Sequence, residues 1–326
     1  MSRSGAPKVV AFGGGHGLSA SLAALRAVTP NLTAVVTVGD DGGSSGVIRT
    51  ELDGLPPGDL RMALAALAGD DEQSRLWAQV CQHRLGGSGT LAVHPVGNLL
   101  LTGLNAVTGD PVASLEVAGR LLGAVGRVLP LSLEPIDIVA EVVGLDPADP
   151  GATREVHGQV AVATTPGQVV GVRLDPPDVD ACPQAVDAVL DADWVVFGPG
   201  SWFTSVIPHL LVADMAKALF TTSARKVVTL NMCPQSGETE GFSPETHLEV
   251  LAAHAPDLEI DVVLSPRRVV DDEGRSLRRT AESLGARLVV TQLGNDQSVP
   301  VHDPQLLAAA YRSIFTTATE GDSAWR

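Results

Sequence analysis

The first candidate for chemistry is a glycine run near the start of the chain, between a β-branched segment at 8–12 and a helical pattern at 18–28. The run consists of Gly13, Gly14, Gly15, His16 and Gly17. Glycines let the backbone approach a phosphate, and a helix that begins there offers free N–H groups and a positive dipole end. Ser19 adds a hydroxyl group. We expect this loop to hold the diphosphate of a nucleotide.

Known glycine motifs describe this loop poorly. It is not a P-loop, because no Gly-Lys-Ser/Thr follows the glycines, and Leu18 stands where a dinucleotide fingerprint has its third glycine. A tight turn between a strand and a helix, without any ligand, remains the alternative.

A second polar loop follows the next strand-like run, at 32–38. It contains Asp40, Asp41, Gly43, Ser44 and Ser45. The two adjacent carboxylates suit Mg²⁺, a ribose or the role of a base. A ribose carboxylate at this position would also fit NAD. The alternative is a turn that caps a helix, with both aspartates in solvent.

Two further residues suit anions. Arg61 stands in the first turn of a helical pattern, where a positive charge opposes the helix dipole, so it indicates either a bound anion or a surface ion pair. His94 precedes another apolar helix and suits a phosphate contact or proton transfer, although a lone histidine is more often structural.

Two later loops also carry polar groups after strand-like runs. One contains Gly198, Gly200, Ser201, Thr204 and Ser205, which suit an anion or a sugar, or the cap of a helix. The other contains Asn231, Gln235 and Glu238, whose amide and carboxylate groups suit a base or sugar hydroxyls, although a plain loop is the alternative.

The strands that precede these loops predict the architecture. Strand and helix patterns alternate, as in a doubly wound parallel sheet, and the carboxyl ends of such strands meet at one edge, where ligands bind. Residues 57–123 read as a helical insertion, and residues 134–174 as a small antiparallel β excursion with strand-like runs at 136–143, 156–164 and 168–174. We expect a single α/β domain over residues 1–326.

Composition excludes several classes of protein. Apolar residues make up 44% of the chain and aromatic residues 3%, so the core must be built from Ala, Val and Leu. The net charge of −16 argues against nucleic-acid binding, which needs clustered Lys and Arg. The three cysteines form no CxxC pair. No signal peptide and no apolar run of about 20 residues is visible, so we expect a cytoplasmic protein without a membrane span.

Taken together, the loops resemble those of the YvcK-type gluconeogenesis factors, in the 2-phospho-L-lactate transferase-like superfamily. The resemblance covers roughly residues 7 to 315. The segments that carry it are GGGHGLSASLAAL, VGDDGGSSGVIRTEL, PPGDLRMALAAL, HPVGNLLLTGL, DADWVVFGPGSWFTSVIPHLLV and NMCPQSGETEGFSPETHL.

This resemblance implies a three-layer Rossmann-like fold and a binder of uridine-diphospho-N-acetylglucosamine. Such a protein adjusts cell shape, peptidoglycan precursor flow and growth on gluconeogenic carbon sources, with cell-wall synthesis enzymes or a regulatory kinase as partners. Gly97 and Asn98 join the ligand site through the resemblance. No catalytic residue is assigned, and the oligomeric state, a homodimer included, stays open.

An enzymatic alternative comes from the same superfamily. It is a Mg²⁺-dependent phospho-group transferase with a guanosine-diphosphate-type donor, in which Asp40 and Asp41 hold the metal. An NAD-dependent enzyme is the weaker third choice, since no hydride-transfer constellation is present. The chain also departs from the family pattern: His16 stands in place of a threonine, and His209 in place of an asparagine.

Overall fold

A computed structural model describes residues 5–235, 238–271, 274–294 and 300–320, with side chains described as far as residue 317. Its centre is a seven-stranded parallel sheet with helices on both faces, and a three-stranded antiparallel sheet lies beside it. The predicted α/β class, with its helical insertion and small β excursion, is confirmed.

Ten strands build the two sheets. Their bounds are β1 (Val9–Gly13), β2 (Leu32–Val36), β3 (Arg127–Pro130), β4 (Asp137–Val143), β5 (Arg154–His157), β6 (Gln168–Asp175), β7 (Trp194–Phe197), β8 (Arg225–Thr229), β9 (Val262–Pro266) and β10 (Arg287–Thr291). The large sheet has the order β10-β9-β8-β7-β1-β2-β3, with every pair parallel. The small sheet has the order β5-β4-β6.

Thirteen α-helices lie in the described residues. Their bounds are α1 (Gly15–Leu25), α2 (Gly43–Leu52), α3 (Pro57–Leu67), α4 (Glu72–Gln82), α5 (Val96–Thr108), α6 (Pro111–Leu121), α7 (Gln159–Ala163), α8 (Pro183–Leu190), α9 (Pro208–Leu211), α10 (Ala213–Thr221), α11 (Pro244–His254), α12 (Arg275–Ser283) and α13 (Pro304–Glu320). Within this part of the chain no helix has the length and apolar character that a membrane crossing needs.

Strand β3 and the segment after β5 differ from the sequence patterns. Strand β3 closes one edge of the large sheet, although its four residues are too short to show a period. The run at 156–164 was expected to be one strand, but the structure ends β5 at His157 and places α7 over the following residues. The Asp41 carboxylate accepts a hydrogen bond from the Val160 N–H (2.9 Å), and this tertiary cap favours the helix over an extended backbone.

Aliphatic side chains fill the core on both faces of the large sheet. Along β1, Val9 and Ala11 point into one core, whereas Val10 and Phe12 point into the other, because side chains alternate along a strand. Helices α1, α3, α6 and α13 cover the first face, and α8, α10, α11 and α12 cover the second. Burial on both faces explains why these strands read as continuous apolar runs.

The only tyrosine of the chain anchors the last helix beneath the first glycine loop. Tyr311 of α13 is fully buried, and its hydroxyl lies 3.0 Å from Thr229 Oγ1 and 3.3 Å from Ser21 Oγ. Burial raises the pKa of Tyr311 to about 12, so the hydroxyl stays protonated as a hydrogen-bond donor. This contact joins α1, β8 and α13.

A buried histidine of α9 contacts strands β1 and β2 on the other face of the sheet. His209 has no exposed surface, and its Nε2 lies 3.2 Å from the carbonyl oxygen of Val35 in β2. Its ring stands edge-on to Phe12, with 4.9 Å between ring centroids. Burial lowers the pKa of His209 to about 4, so the ring is neutral at pH 7.

This histidine makes stability depend on pH. Between about pH 6.5 and 4 the unfolded chain binds a proton at His209 that the folded protein does not, so stability falls as the pH falls. We expect His209→Asn, which cannot titrate, to remove about 2–3 kcal/mol of that loss between pH 7 and 4.5. Urea unfolding of both proteins at several pH values measures the difference, and parallel pH profiles would contradict this role for the histidine.

Candidate functional site

The strand order creates a cleft at the carboxyl edge of the large sheet. From β1 the chain moves outward through β2 and β3, and it then returns to place β7 on the other side of β1. The loops after β1 and β7 therefore lead to opposite faces of the sheet, and this divergence opens a crevice between them. Both loops are the glycine loops singled out from the sequence.

The two loops interlock through their backbones. A Cβ atom on Gly17 would overlap the carbonyl oxygen of Pro199, and it would lie 2.7 Å from the Cα of Gly200. The side chain of Asn231 fixes the second loop, because its Oδ1 accepts from the Gly200 N–H and its Nδ2 donates to the Gly200 carbonyl, both at 2.8 Å. Gly17 is therefore required for packing, independently of any ligand.

Gly14 forms the floor of the cleft. A Cβ atom there would overlap Asp59 Oδ2, and it would lie 2.8 Å from Thr37 Cγ2 and 3.1 Å from Ser205 Oγ. Helix α1 begins one residue later, at Gly15, rather than near residue 18 as the sequence pattern suggested. The first turn of α1 thus faces the cleft, and His16 within it is exposed at the surface.

Asp59 is a central residue of the site that the sequence did not single out. It stands in the first turn of α3, is 8% exposed, and accepts a hydrogen bond from the Gly15 backbone N–H. Burial, and next the negative charge of Asp40, raise the pKa of Asp59 to about 7. Its Oδ2 has no hydrogen-bond partner in the described chain, and neither has the nearby Thr37 hydroxyl. The sequence signal was its place at a helix start beside a proline and a glycine.

The two aspartates of the second loop have different surroundings. Asp40 Oδ1 accepts from the Gly42 N–H (3.0 Å), and its charge reaches Asp59. Asp41 instead caps α7 of the small-sheet region, as described above. Helix α2 begins at Gly43, after the two aspartates. In its first turn, Ser45 Oγ accepts a hydrogen bond from the Gly58 N–H at 3.0 Å. The charge of Asp40 thus acts on Asp59, whereas Asp41, its neighbour in the sequence, caps α7.

A buried hydrogen-bonded chain forms one side of the site, and it contains Arg61, Asn98, Ser44 and His94. Arg61 Nε donates to Asn98 Oδ1 (2.8 Å), and Asn98 Nδ2 donates to Ser44 Oγ (2.9 Å). Ser44 Oγ lies 2.8 Å from His94 Nδ1. Arginine can only donate, so the first two links take the same direction, whereas the direction of the link between Ser44 and His94 depends on the tautomer of the histidine.

The hydrogen bond to Asn98 gives Arg61 a partner inside the protein. Its Nε is committed to Asn98 inside the protein, so the anion that the sequence suggested is not needed to explain its place. Gly97 packs against the Arg61 side chain, since a Cβ there would lie 2.9 Å from Arg61 Cγ. Burial lowers the pKa of Arg61, and Arg84 lowers it further.

The third and fourth loops are bonded to each other. Glu238 is buried and accepts from Ser201 Oγ (2.6 Å) and from the Phe203 N–H (2.7 Å), at the start of a π-helical turn over residues 202–206. Burial raises the pKa of Glu238. Ser201 Oγ also bonds Thr204 Oγ1. Glu238, Ser201, Thr204 and Asn231 therefore shape the loops, although direct ligand contacts were expected of them.

The structure brings most of the predicted residues to one edge of the sheet. Gly14, Asp59 and Ser205 meet at the floor, and the charge of Arg61, the first member of the hydrogen-bonded chain to His94, acts on Asp59. Ser19 Oγ bonds the Gly15 carbonyl within α1 (2.9 Å). Gln235 lies in the outer loop, where its backbone N–H bonds Thr239 Oγ1 (2.8 Å).

The carboxylates of the cleft can bind a divalent cation only if other ligands complete its coordination shell. Asp40 and Asp59 supply hard carboxylate oxygens, and Asp59 Oδ2 is unpartnered. Within the described ranges no three His, Cys, Asp or Glu side chains form a metal cluster. A Mg²⁺ ion here would therefore complete its shell with phosphate oxygens and water, as is usual for this ion.

The fold defines the class: a doubly wound α/β protein whose strand order reverses between β1 and β7. The family model described as 2-phospho-L-lactate transferase CofD matches residues 9–301. A Mycobacterium tuberculosis protein named "Putative gluconeogenesis factor" is 56% identical over 308 residues, which are 94% of this chain and 90% of that protein. The Listeria innocua "Gluconeogenesis factor" is 37% identical over 84% of this chain and 81% of its own length.

A solved structure has the same fold. The crystal structure of a UPF0052 family member from Bacillus halodurans superimposes with a TM-score of 0.82 and 32% identity, covering 93% of this chain and 97% of that one. The chain therefore belongs to the CofD family and, within it, to the YvcK-type gluconeogenesis factors.

The buried charge of Asp59 gives the first prediction for this site. Above pH 7 the folded protein must hold a buried carboxylate, and this penalty fades as the pH falls from about 7 to 3.8. Without ligand, we expect Asp59→Asn to raise the free energy of unfolding by about 2–4 kcal/mol at pH 8 and by almost nothing at pH 4. Denaturant unfolding measures this, with exposed Glu51→Gln as the control. An equal gain at both pH values would contradict a charge effect.

The interlocked loops give the second prediction. Gly17→Ala places a methyl group against the Pro199 carbonyl, so the loops must separate, and we expect a loss of about 1–3 kcal/mol of stability. Gly103→Ala, on the exposed side of α5 with no atom near its Cβ, should instead gain up to about 1 kcal/mol. Thermal unfolding compares the two variants. Equal stability of Gly17→Ala and the parent would mean that the loops do not interlock.

Proposed function

We propose that the cleft binds a uridine-diphospho-sugar, with its diphosphate at the amino end of α1. The observation that carries this proposal is the glycine floor: Gly14 and Gly15 bring the backbone at the start of an 11-residue helix to the strand-order reversal without side chains of their own. Free N–H groups and the helix dipole attract phosphate at such a place. A side chain at residue 14 would displace Asp59 and Thr37, which line the floor.

The charges around the floor suit a diphosphate. The protein carries a net charge of −16, so the cleft has few cations to offer. Asp59, with a pKa of about 7, is half protonated at neutral pH, and in that form its O–H can donate to a phosphate oxygen. The hydroxyl of Ser205 is a further donor beside the same floor.

The names of two relatives support the biological part of the proposal, since both are called gluconeogenesis factors. We propose that this protein senses a nucleotide sugar without converting it. We assign the protein a regulatory role in the cytoplasm, where it links carbon supply to peptidoglycan precursor flow and cell shape. Its protein partners would be cell-wall synthesis enzymes or a regulatory kinase.

A second candidate function is a Mg²⁺-dependent phospho-group transferase. The Asp40–Asp59 pair supports it, because two neighbouring carboxylates with one unpartnered oxygen suit a divalent cation between protein and phosphates. When bound, the cation would neutralise phosphate charge. The matching family model is also named for such a transferase.

Calorimetry separates the two candidates. We expect uridine-diphospho-N-acetylglucosamine to bind without Mg²⁺, because the backbone N–H groups of α1 supply the phosphate contacts. The proposal also requires it to bind more tightly than guanosine diphosphate or NAD. Gly14→Ala should weaken this binding at least about tenfold, since its methyl group occupies the floor. Gly103→Ala serves as the control variant.

The outcomes are distinct. Absence of heat with every uridine nucleotide would overturn the leading proposal. Tighter binding of guanosine diphosphate, dependent on Mg²⁺ and lost in Asp40→Asn, would establish the second candidate instead. Equal binding by the parent and Gly14→Ala would place the ligand outside this cleft.

A further inference from the structure

A long stretch of the surface is built without charged side chains. Residues 85–109 contain no Asp, Glu, Lys or Arg, although these residues make up 18% of the chain. The stretch comprises the loop after α4 and all of α5. Five of the thirteen large apolar side chains that are exposed in the described residues belong to it: Leu85, Leu91, Val93, Leu99 and Val107. Exposed apolar groups concentrated in this way mark an interaction surface.

Helix α5 presents one uncharged face to the solvent. Leu99, Gly103 and Val107 follow one another at intervals of four residues, so they lie along the same face, and all three are exposed. Val107 is 87% exposed. The inner face of α5 is buried and carries Asn98 and Leu101. The helix therefore joins the hydrogen-bonded chain on its inner side and presents an apolar strip on its outer side.

The loop before α5 widens this strip. The Val96 N–H donates to the His83 carbonyl (2.9 Å), and Arg84 Nη1 donates to the Val93 carbonyl (2.6 Å), so the two ends of the loop are held together at the start of the helix. Leu85 and Val93 therefore lie at the amino end of α5. A stable interface buries about 800 Å² on each partner, and the loop adds area that one helix face lacks.

The charges at the two ends of the strip are opposite. Arg84 stands at the amino end of α5, in an isolated β-bridge with Pro95, and Asp110 follows the carboxyl end. Both charged residues are exposed. When two α5 helices pack antiparallel and cross midway between Leu99 and Val107, Leu99 of one copy meets Val107 of the other. The same register brings Arg84 of one copy to Asp110 of the other, and this contact occurs twice.

We propose that α5 and the loop before it form the interface of a homodimer, in which two α5 helices pack antiparallel across a twofold axis. The strip is complementary to itself, as a twofold interface requires, and antiparallel helices bring opposite dipole ends together. Gly103 lies at the crossing, where a residue as small as glycine or alanine suits helix axes about 8–10 Å apart. The proposal is independent of what binds in the nucleotide cleft.

A second copy of the chain is the occupant that the charges favour. Two proteins with a net charge of −16 repel each other over most of their surfaces, so they approach most easily where neither carries an acidic group. The uncharged strip is such a place. The charges at its ends then fix the orientation, because a parallel arrangement would place Arg84 against Arg84 and Asp110 against Asp110.

Sedimentation velocity of the full-length protein tests the assembly. We expect a dimer whose fraction rises with protein concentration. Val107→Glu places an acidic group against Leu99 of the second copy, and we expect the dimer dissociation constant to rise at least about tenfold. Val170→Glu, the same substitution at a 50% exposed valine of β6, is the control and should leave the constant unchanged. Circular dichroism confirms that both variants fold.

Disulfide cross-linking tests the register. The background is Cys233→Ser, which removes the exposed native thiol. We expect Leu99→Cys and Val107→Cys proteins to form a cross-linked dimer when they are mixed and oxidised. Leu99→Cys alone should not form one, because eight residues of helix separate the two thiols by about 12 Å, and a disulfide joins Cα atoms less than about 7 Å apart.

Three results would overturn the proposal. The first is a protein that stays monomeric at every concentration. The second is a dimer that Val107→Glu leaves intact, which would place the interface elsewhere. The third is cross-linking by Leu99→Cys alone that equals cross-linking of the mixture, which would contradict the antiparallel register.

Discussion

The contact between two backbones, Gly17 Cα against the Pro199 carbonyl, is the constraint on which the site depends. It holds the loops after β1 and β7 together where the sheet topology drives them apart. The space that remains at their edge is the cleft, and its floor is glycine because any side chain would meet Asp59 or Thr37. Asn231 and Glu238 stabilise the same junction from the outer side.

Around this junction the protein uses polar groups in two different ways. The chain from Arg61 to His94 is fully linked, so each buried group has a partner and the helices that carry them are fixed in position. Asp59 and Thr37 are left with unpartnered oxygens at the floor. Unpartnered buried oxygens beside a fully bonded network are typical of functional sites, where a ligand supplies the missing hydrogen bonds.

Much of the fold was predictable from sequence because the signals for its strands and loops are local. Runs such as 9–12 and 194–197 are apolar throughout because both sheet faces are covered, and glycine marks the loops that follow them. Strand β3 was missed since four residues carry no period, and 156–164 was misassigned because Asp41, far away in sequence, caps α7. Likewise, the glycine loops were identifiable from composition, whereas Asp59 matters only through tertiary burial. The side-chain partners of Asn231 and Glu238 were invisible for the same reason.

Because the carboxyl group of Asp59 titrates, binding in the cleft is coupled to the uptake or release of a proton. With a pKa of about 7, it exchanges protons with the solvent under ordinary conditions. A cation that enters the cleft displaces a proton into the buffer, while an anion that enters without one takes a proton up. The sign of proton transfer upon complex formation, seen as the dependence of the binding heat on the ionisation enthalpy of the buffer, therefore records the charge of the species that meets Asp59.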